Sequence, residues 1–409
     1  MPPNLIEFIL VPIVKNKCAN ITSKDNYRPI ALANIITKFI ESVIISRIDQ
    51  YLLCSHNQFG FLKGSSTDQC IYLLKELIAM YNNSGSTVFT CFLDASKAFD
   101  RVDHALLIAK LRARNVPLFI IRLLTYWFST QRVKIRWDNC ISDYIHVYNG
   151  VRQGGILSPM LFNVYMNDIS IALNRVDTGL SFGTGFINHI MYADDLVVLS
   201  PCIEGLQDLI NVCRLYGADH DILYNSKKTV SLSINKNKNI VHRPNFKLGD
   251  ANIPVCEEVK YLGHIISADL SDDKDIMKHK RMLYCKSNLI MKSFSKCSDS
   301  VKCTLFQSFC CNMYCCSLWT HYSRTIFNST RVAYNNAFRI FLRLPMRCSA
   351  STMFVTNRIP SFNENLRKSY FNLYKRLFNS TNQYLKLVFK VARLTRNTIV
   401  CHWRQHLYI

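Results

Sequence analysis

Acidic side chains are scarce in this 409-residue chain: 28 Asp and Glu stand against 50 Lys and Arg, a formal net charge of +22. So basic a balance implies a polyanionic partner, nucleic acid first and an anionic membrane surface second. Long apolar runs are missing too. The most hydrophobic stretch, 35–53, is broken by Lys38, Glu41, Arg47 and Asp49, well short of the roughly 18 uninterrupted residues that suggest a membrane span. The amino terminus, LIEFILVPIV, is apolar but carries Pro2, Pro3 and Glu7 and lacks a basic lead, so it reads poorly as a secretory signal. The 17 cysteines are scattered and odd in number, which reads as reduced thiols of an intracellular protein. Their densest cluster, Cys310, Cys311, Cys315 and Cys316 in FCCNMYCCSLW, has neither the CxxC pair nor the HxxxH partner of a zinc site. Small core residues on a helix are the expectation there. Internal repeats and low-complexity linkers are absent as well.

What is present is a foldable core. The chain is 49% hydrophobic and 12% aromatic, and long enough for two or three domains. Apolar positions at helical spacing predict a helix within 33–54, with Ile36, Phe39, Ile40, Val43, Ile44 and Ile48 on the inward face. A second helix is expected from about Thr67, as cap, to Tyr81, burying Ile71, Leu74, Leu77 and Ile78. VFTCFLD, ending at Asp94, reads as a buried strand. Asp103 reads as the cap of a helix through HALLIAKLRAR, and Pro117 as the start of another. VKYLGHIIS (259–267) is expected to be one more strand. Beyond it the text turns helical and rich in Lys and Arg, which places a domain boundary near 268.

HIMYADDLVVLS (189–200) sets adjacent carboxylates, Asp194 and Asp195, in an apolar run. Ionised carboxylates in apolar surroundings are penalised, and a like-charged neighbour adds repulsion. A divalent cation would relieve both effects. If the strand that ends at Asp94 lies beside this one, three carboxylates meet at one sheet edge, a hard-oxygen set suited to Mg²⁺. The competing reading puts Asp194 and Asp195 in a hairpin turn and makes Asp94 a simple cap. Between the acidic strands lies GVRQGGILSPMLFNVYMNDI (150–169). Gly154 and Gly155 there allow close backbone approach, and Ser158-Pro159 reads as N-cap and first helical turn.

The motifs run in the order of a reverse transcriptase, and their wording resembles the non-LTR (LINE-type) retrotransposon branch. NYRPIALANIITKFIESVI (26–44) and NQFGFLKGSSTDQCIYLL (57–74) are similar to that family's two fingers motifs. FLDASKAFDRVDH resembles motif A, GVRQGGILSPMLFN motif B, YADD motif C, NSKKT (225–229) motif D and VKYLGHIIS motif E, the primer grip. The likeness covers residues from about 10 to 267, and the C-terminal part resembles the family's thumb far less specifically.

This resemblance implies an α+β right-hand polymerase, with helical fingers, a palm built on an antiparallel sheet, and a helical thumb. Residues 1–267 would be fingers and palm, and 268–409 a basic helical thumb and C-terminal region. It implies an RNA-directed DNA polymerase that extends a DNA primer on an RNA template with dNTPs and two Mg²⁺ ions, Mn²⁺ being possible. Asp94, Asp194 and Asp195 match the metal ligands, and Lys228 the lysine that protonates leaving pyrophosphate, with Lys227 next door. Arg28, with Lys15, matches the grip on the triphosphate. Phe99 matches the gate against a ribose 2′-hydroxyl, and Gln153 with Gly154 the element beside the incoming nucleotide. Tyr261, Leu262 and Gly263 match the primer grip. The basic helix 274–296 is expected to track a nucleic-acid backbone. No endonuclease domain or CCHC knuckle is expected in this polymerase portion, and no membrane association. Alternatives are an RNA-dependent RNA polymerase, disfavoured by YADD and Phe99, and a catalytically silent RNA-binding remnant or maturase-like protein.

Overall fold

In the computed structural model, residues 6–182, 185–235 and 244–407 are described. The class is α+β. Contacts divide the chain into two compact units, Met1–Ser65 with Cys91–Val230 and Asn245–Pro254, and Ser66–Thr90 with Ser231–Pro244 and Val255–Ile409.

The first unit carries two groups of strands. In one, Glu7–Val14 runs antiparallel to Tyr27–Leu32 and parallel to Arg132–Trp137. In the other, His189–Tyr192 and Asp195–Ser200 form a hairpin, and Val88–Leu93, whose end belongs to this unit, neighbours Asp195–Ser200. The helix Ile203–Asp219 packs on Asp195–Ser200, and the helix Ser158–Asn174 packs on Ile203–Asp219 and on the helix His104–Ala113. Val88–Leu93 is buried at every position and reads as a continuous apolar run. Asp103 caps His104–Ala113 as expected, accepting a hydrogen bond from the Leu106 N–H at 2.7 Å. Pro117 sits at the cap of the helix Leu118–Thr130.

Several local expectations are corrected. The helix Ile35–Ile48 forms, but its buried positions are Thr37, Glu41, Ile44 and Ile48, while Ile36, Phe39 and Val43 are exposed. Apolar periodicity misjudged this face because a buried carboxylate occupies its centre. The helix at SPMLFNVYMNDI starts at Ser158 itself, so Ser158 is not its cap. VKYLGHIIS is two strands, Glu258–Tyr261 and His264–Ser267, joined by a turn at Leu262 and Gly263, which have φ of 46° and 84°. Positive φ at both central residues is the two-residue hairpin geometry whose twist matches the flanking strands. Finally, Cys310, Cys311, Cys315 and Cys316 are buried, but they follow the helix Asp299–Phe309 rather than riding on it.

In the second unit the helix Thr67–Asn83, with Ser66 rather than Thr67 at its cap, buries Ile71, Leu74, Leu77 and Ile78 as expected. It also buries two charges. Lys75 Nζ lies 2.5 Å from Asp272 Oδ1 and donates to the Leu318 carbonyl at 2.9 Å. Burial alone would push Asp272 up, but Lys75 and His264 hold it down at about 2. Burial pushes Glu76 up to about 8, although its carboxylate accepts from the Ile399 N–H at 3.0 Å and the charge of Lys75 opposes the shift.

That contrast predicts a pH effect. An unfolded chain releases the Glu76 proton near the ordinary 4.5, whereas the folded chain holds it to about 8. The stability contributed by the neutral carboxyl is therefore full below pH 4.5 and is lost as pH rises through 8. The Glu76→Gln variant is expected to melt like the wild type at pH 4.5 and at a higher temperature at pH 8. Thermal melts at both pH values check this, and an identical offset at the two would show that ionisation is not the cause.

Candidate active site

Asp94 follows the last residue of Val88–Leu93, and the segment 225–229 holds its backbone. Its N–H donates to Thr229 Oγ1 at 3.3 Å, and its carbonyl accepts from the Asn225 N–H at 2.8 Å. The Lys228 ammonium lies 3.9 Å from Asp94 Oδ2. Asp194 lies in the turn of the hairpin 189–200, and Asp195 is the first residue of its second strand. The turn reading and the paired-carboxylate reading of YADD are therefore compatible.

The turn is held from outside. Ala193 has φ of 58°, a left-handed conformation costly for a side chain with a Cβ. Gln58 Oε1 accepts from the Ala193 N–H at 2.9 Å and from the Gly60 N–H at 2.8 Å, while the Phe59 N–H donates to the Met191 carbonyl at 2.8 Å. A Cβ on Gly60 would stand 2.3 Å from the Ala193 nitrogen, so only glycine lets the two backbones meet. The sequence motif NQFGF gives Gln58 and Gly60 no role by itself. Their signal was the pairing of a glycine with a polar side chain beside apolar neighbours.

Electrostatically the carboxylates are under load. Burial pushes Asp194 up, the negative charge of Asp94 adds to it, and its own backbone N–H and Arg28 oppose it. Asp195 is exposed as a residue, yet desolvation of its carboxyl, then the charges of Asp194 and Asp94, push it up to about 6. Two raised carboxyl groups, Asp194 and Asp195, beside the charge of Asp94 are a donor set short of positive charge, which is what a divalent cation would provide. Among the described residues no group of three His, Cys, Asp or Glu is assembled as a metal site. Mg²⁺ does not demand a full protein cage, since it keeps waters and takes substrate phosphates as ligands. The carboxylates therefore fit the ion in chemistry rather than as a preformed cage.

Facing them, a cleft of about 1820 Å³ gathers Lys15, Arg28, Phe99, Gln153, Gly154 and Lys228 with Asp94, Asp194 and Asp195. The structure thus brings together nine of the twelve expected site residues. Arg28 is exposed on Tyr27–Leu32, and Lys15 Nζ donates to the Asp25 carbonyl at 2.9 Å. The Phe99 ring stacks on Phe162 at a centroid distance of 4.2 Å and meets Phe61 edge-on at 6.1 Å. Gln153 Nε2 donates to Asp100 Oδ1 at 2.9 Å, and its carbonyl accepts from the Ala31 N–H at 2.8 Å. Gly154 has φ of +120°, and a Cβ there would come 2.8 Å from the Ala31 carbonyl oxygen. Glycine is required on both counts.

The other three, Tyr261, Leu262 and Gly263, belong to the second unit, at the turn of its hairpin. Tyr314 donates to the Leu262 carbonyl at 2.8 Å, and Lys278 Nζ to the Gly263 carbonyl at 2.7 Å.

Residues 13–266 match the profile of the reverse transcriptase (RNA-dependent DNA polymerase) family, and the chain belongs to that family. It is similar to the Pol polyprotein of the type-1 retrotransposable element R2 from Nasonia vitripennis, 26% identical over 59% of this chain and 24% of that protein. It is also similar to the RNA-directed DNA polymerase from mobile element jockey of Drosophila funebris, 24% identical over 88% of this chain and 40% of that one. The chain therefore spans about a quarter to two-fifths of the length of these relatives. Among solved structures, apo telomerase from Candida tropicalis is similar at a TM-score of 0.48 and 10% identity, over 98% of this chain and 69% of that chain. Among the described residues no helix is long and apolar enough to cross a membrane.

Proposed function

We propose that this chain is an RNA-directed DNA polymerase of the non-LTR retrotransposon type, adding deoxynucleotides to a primer 3′-hydroxyl on an RNA template. The observation that carries this reading is the cleft that Asp94, Asp194 and Asp195 line together with Arg28, Gln153 and Phe99. In this right-hand polymerase 1–267 supply fingers and palm, and 268–409 the thumb.

Asp94, Asp194 and Asp195 would hold two Mg²⁺ ions, with Mn²⁺ as a substitute. Bound there, the ions supply the positive charge that favours in-line displacement at a phosphate. Arg28 grips the triphosphate through its planar fork, and Lys15 adds a point charge. The Phe99 ring fills the volume a 2′-hydroxyl would need. Gln153 and Gly154 shape the floor under the nucleotide. Lys228, whose Nζ lies 3.9 Å from Asp94 Oδ2, supplies a proton to the leaving pyrophosphate. Tyr261, Leu262 and Gly263 present a rigid turn to the primer strand. The protein would act inside the cell, bound to its template as a ribonucleoprotein.

Primer extension by the purified chain tests the reading, with RNA or DNA template and with dNTPs or rNTPs. Extension on RNA with dNTPs and Mg²⁺ is the expected result. RNA binding without extension would favour the silent remnant, and a preference for rNTPs would favour an RNA polymerase.

A further inference from the structure

Glu41 is the anomaly of the helix Ile35–Ile48. It is 1% exposed on a helix that turns Ile36, Phe39 and Val43 to solvent. A buried carboxylate is costly unless each oxygen is satisfied, and a leucine at this position would avoid the cost altogether. The oxygens are satisfied by one short segment of chain. Oε1 accepts from Arg152 Nη2 at 2.9 Å, and Oε2 accepts from the Ile156 N–H at 2.5 Å and the Leu157 N–H at 3.4 Å.

These contacts bracket Gln153, Gly154 and Gly155. The tether is stiff at both ends. The Arg152 guanidinium lies 4.6 Å from the Trp127 ring centroid and 5.5 Å from that of Phe8, so it is held from behind. Ile156 and Leu157 lead directly into the helix Ser158–Asn174, whose first turn lacks a side-chain cap of its own. Glu41 supplies from another helix an acceptor for the two amides that lead into this one. Gly155 completes the fit: a Cβ there would stand 3.2 and 3.3 Å from the two Glu41 oxygens and 2.7 Å from Ser158 Oγ. Glu41 does not line the cleft, whereas Gln153 and Gly154 do.

We infer that Glu41 is a positioning residue for nucleotide binding, clasping Arg152 and the Ile156 and Leu157 amides so that the Gln153–Gly154 backbone is preset under the incoming dNTP. This rests on the polymerase reading, in which that loop faces the nucleotide. Loosening the clasp weakens ground-state and transition-state binding together, which raises KM with little change in kcat.

The test avoids leaving Arg152 buried without a partner. Two double variants, Glu41→Gln/Arg152→Met and Glu41→Leu/Arg152→Met, both remove the ion pair, a swap that buried pairs often tolerate. They differ in whether an oxygen remains for the Ile156 N–H. With poly(rA)·oligo(dT) and dTTP, the leucine form should show KM about tenfold or more above the glutamine form, with kcat within about threefold. Equal KM values in the two forms, or a difference that merely follows melting temperature, would overturn the inference. Hydrogen exchange of the wild-type protein, free of nucleotide, decides the case if either double variant fails to fold. Slow exchange at the Ile156 and Leu157 amides is expected, and rapid exchange there overturns the clasp. If the wild-type protein does not extend primers, the polymerase reading fails while the exchange result still judges the clasp.

Discussion

Asp194→Asn is expected to lower primer extension by on the order of 10³-fold or more while raising the melting temperature at neutral pH. The substitution keeps shape and volume but deletes one negative charge from the donor set. If the carboxylates hold the cations, that charge is part of what binds them, and an amide oxygen is a far weaker ligand for a hard cation. The stability gain has a separate cause. Burial and the charge of Asp94 both press against ionisation of Asp194, so in the metal-free protein the ionised carboxylate is a net burden. Function and stability then pull in opposite directions at one residue, as active sites often require. RNA binding, which depends on the basic surface rather than on this carboxylate, should stay within a few-fold of wild type. Single-turnover extension and a melting curve in EDTA give the two readouts. Near wild-type extension by Asp194→Asn would remove Asp194 from the metal site, and an unchanged melting temperature would mean its charge is already compensated.

What could be read from the sequence followed from where chemistry restricts residue choice. Asp94, Asp194, Gln153 and Gly154 could be singled out as candidates because they stand in an ordered series of motifs, and they line one cleft. Buried elements with an unmixed apolar pattern were equally plain, as Ile71, Leu74 and Leu77 show. Glu41 escaped because helical periodicity assumes that a charged residue faces water, and its Arg152 partner lies 111 positions away. Gln58 and Gly60 escaped for a related reason. Their role is to hold a strained backbone at Ala193, a partner 135 positions from Gln58, and local spacing carries no trace of it. The turn at Leu262 and Gly263 was hidden by a different limit. A continuous β-forming run reads as one strand, and only a glycine after a large apolar residue hinted at the reversal.

The sharpest test of substrate choice is Phe99→Val. The Phe99 ring is braced, lying 4.2 Å from Phe162 at an interplanar angle of 12° and edge-on to Phe61, while it also lines the cleft beside Asp94. A braced ring cannot swing aside for a 2′-hydroxyl, so a ribonucleotide would have to shift, and small displacements of the reacting phosphate cost rate heavily. Truncation to valine opens that volume. The rNTP/dNTP ratio of kcat/KM should rise by on the order of 10²-fold, about 3 kcal/mol of differential barrier, with dNTP activity falling much less. The ring is also packing, so some stability will be lost as well. Phe162→Leu separates the two contributions: it removes the bracing partner, which is fully buried, but leaves a phenylalanine at 99. That variant should lose more melting temperature than Phe99→Val and gain less rNTP use. If Phe99→Val melts lower but keeps the wild-type sugar ratio, Phe99 is only a core aromatic, and the case for deoxynucleotide substrates must rest on the remaining motifs.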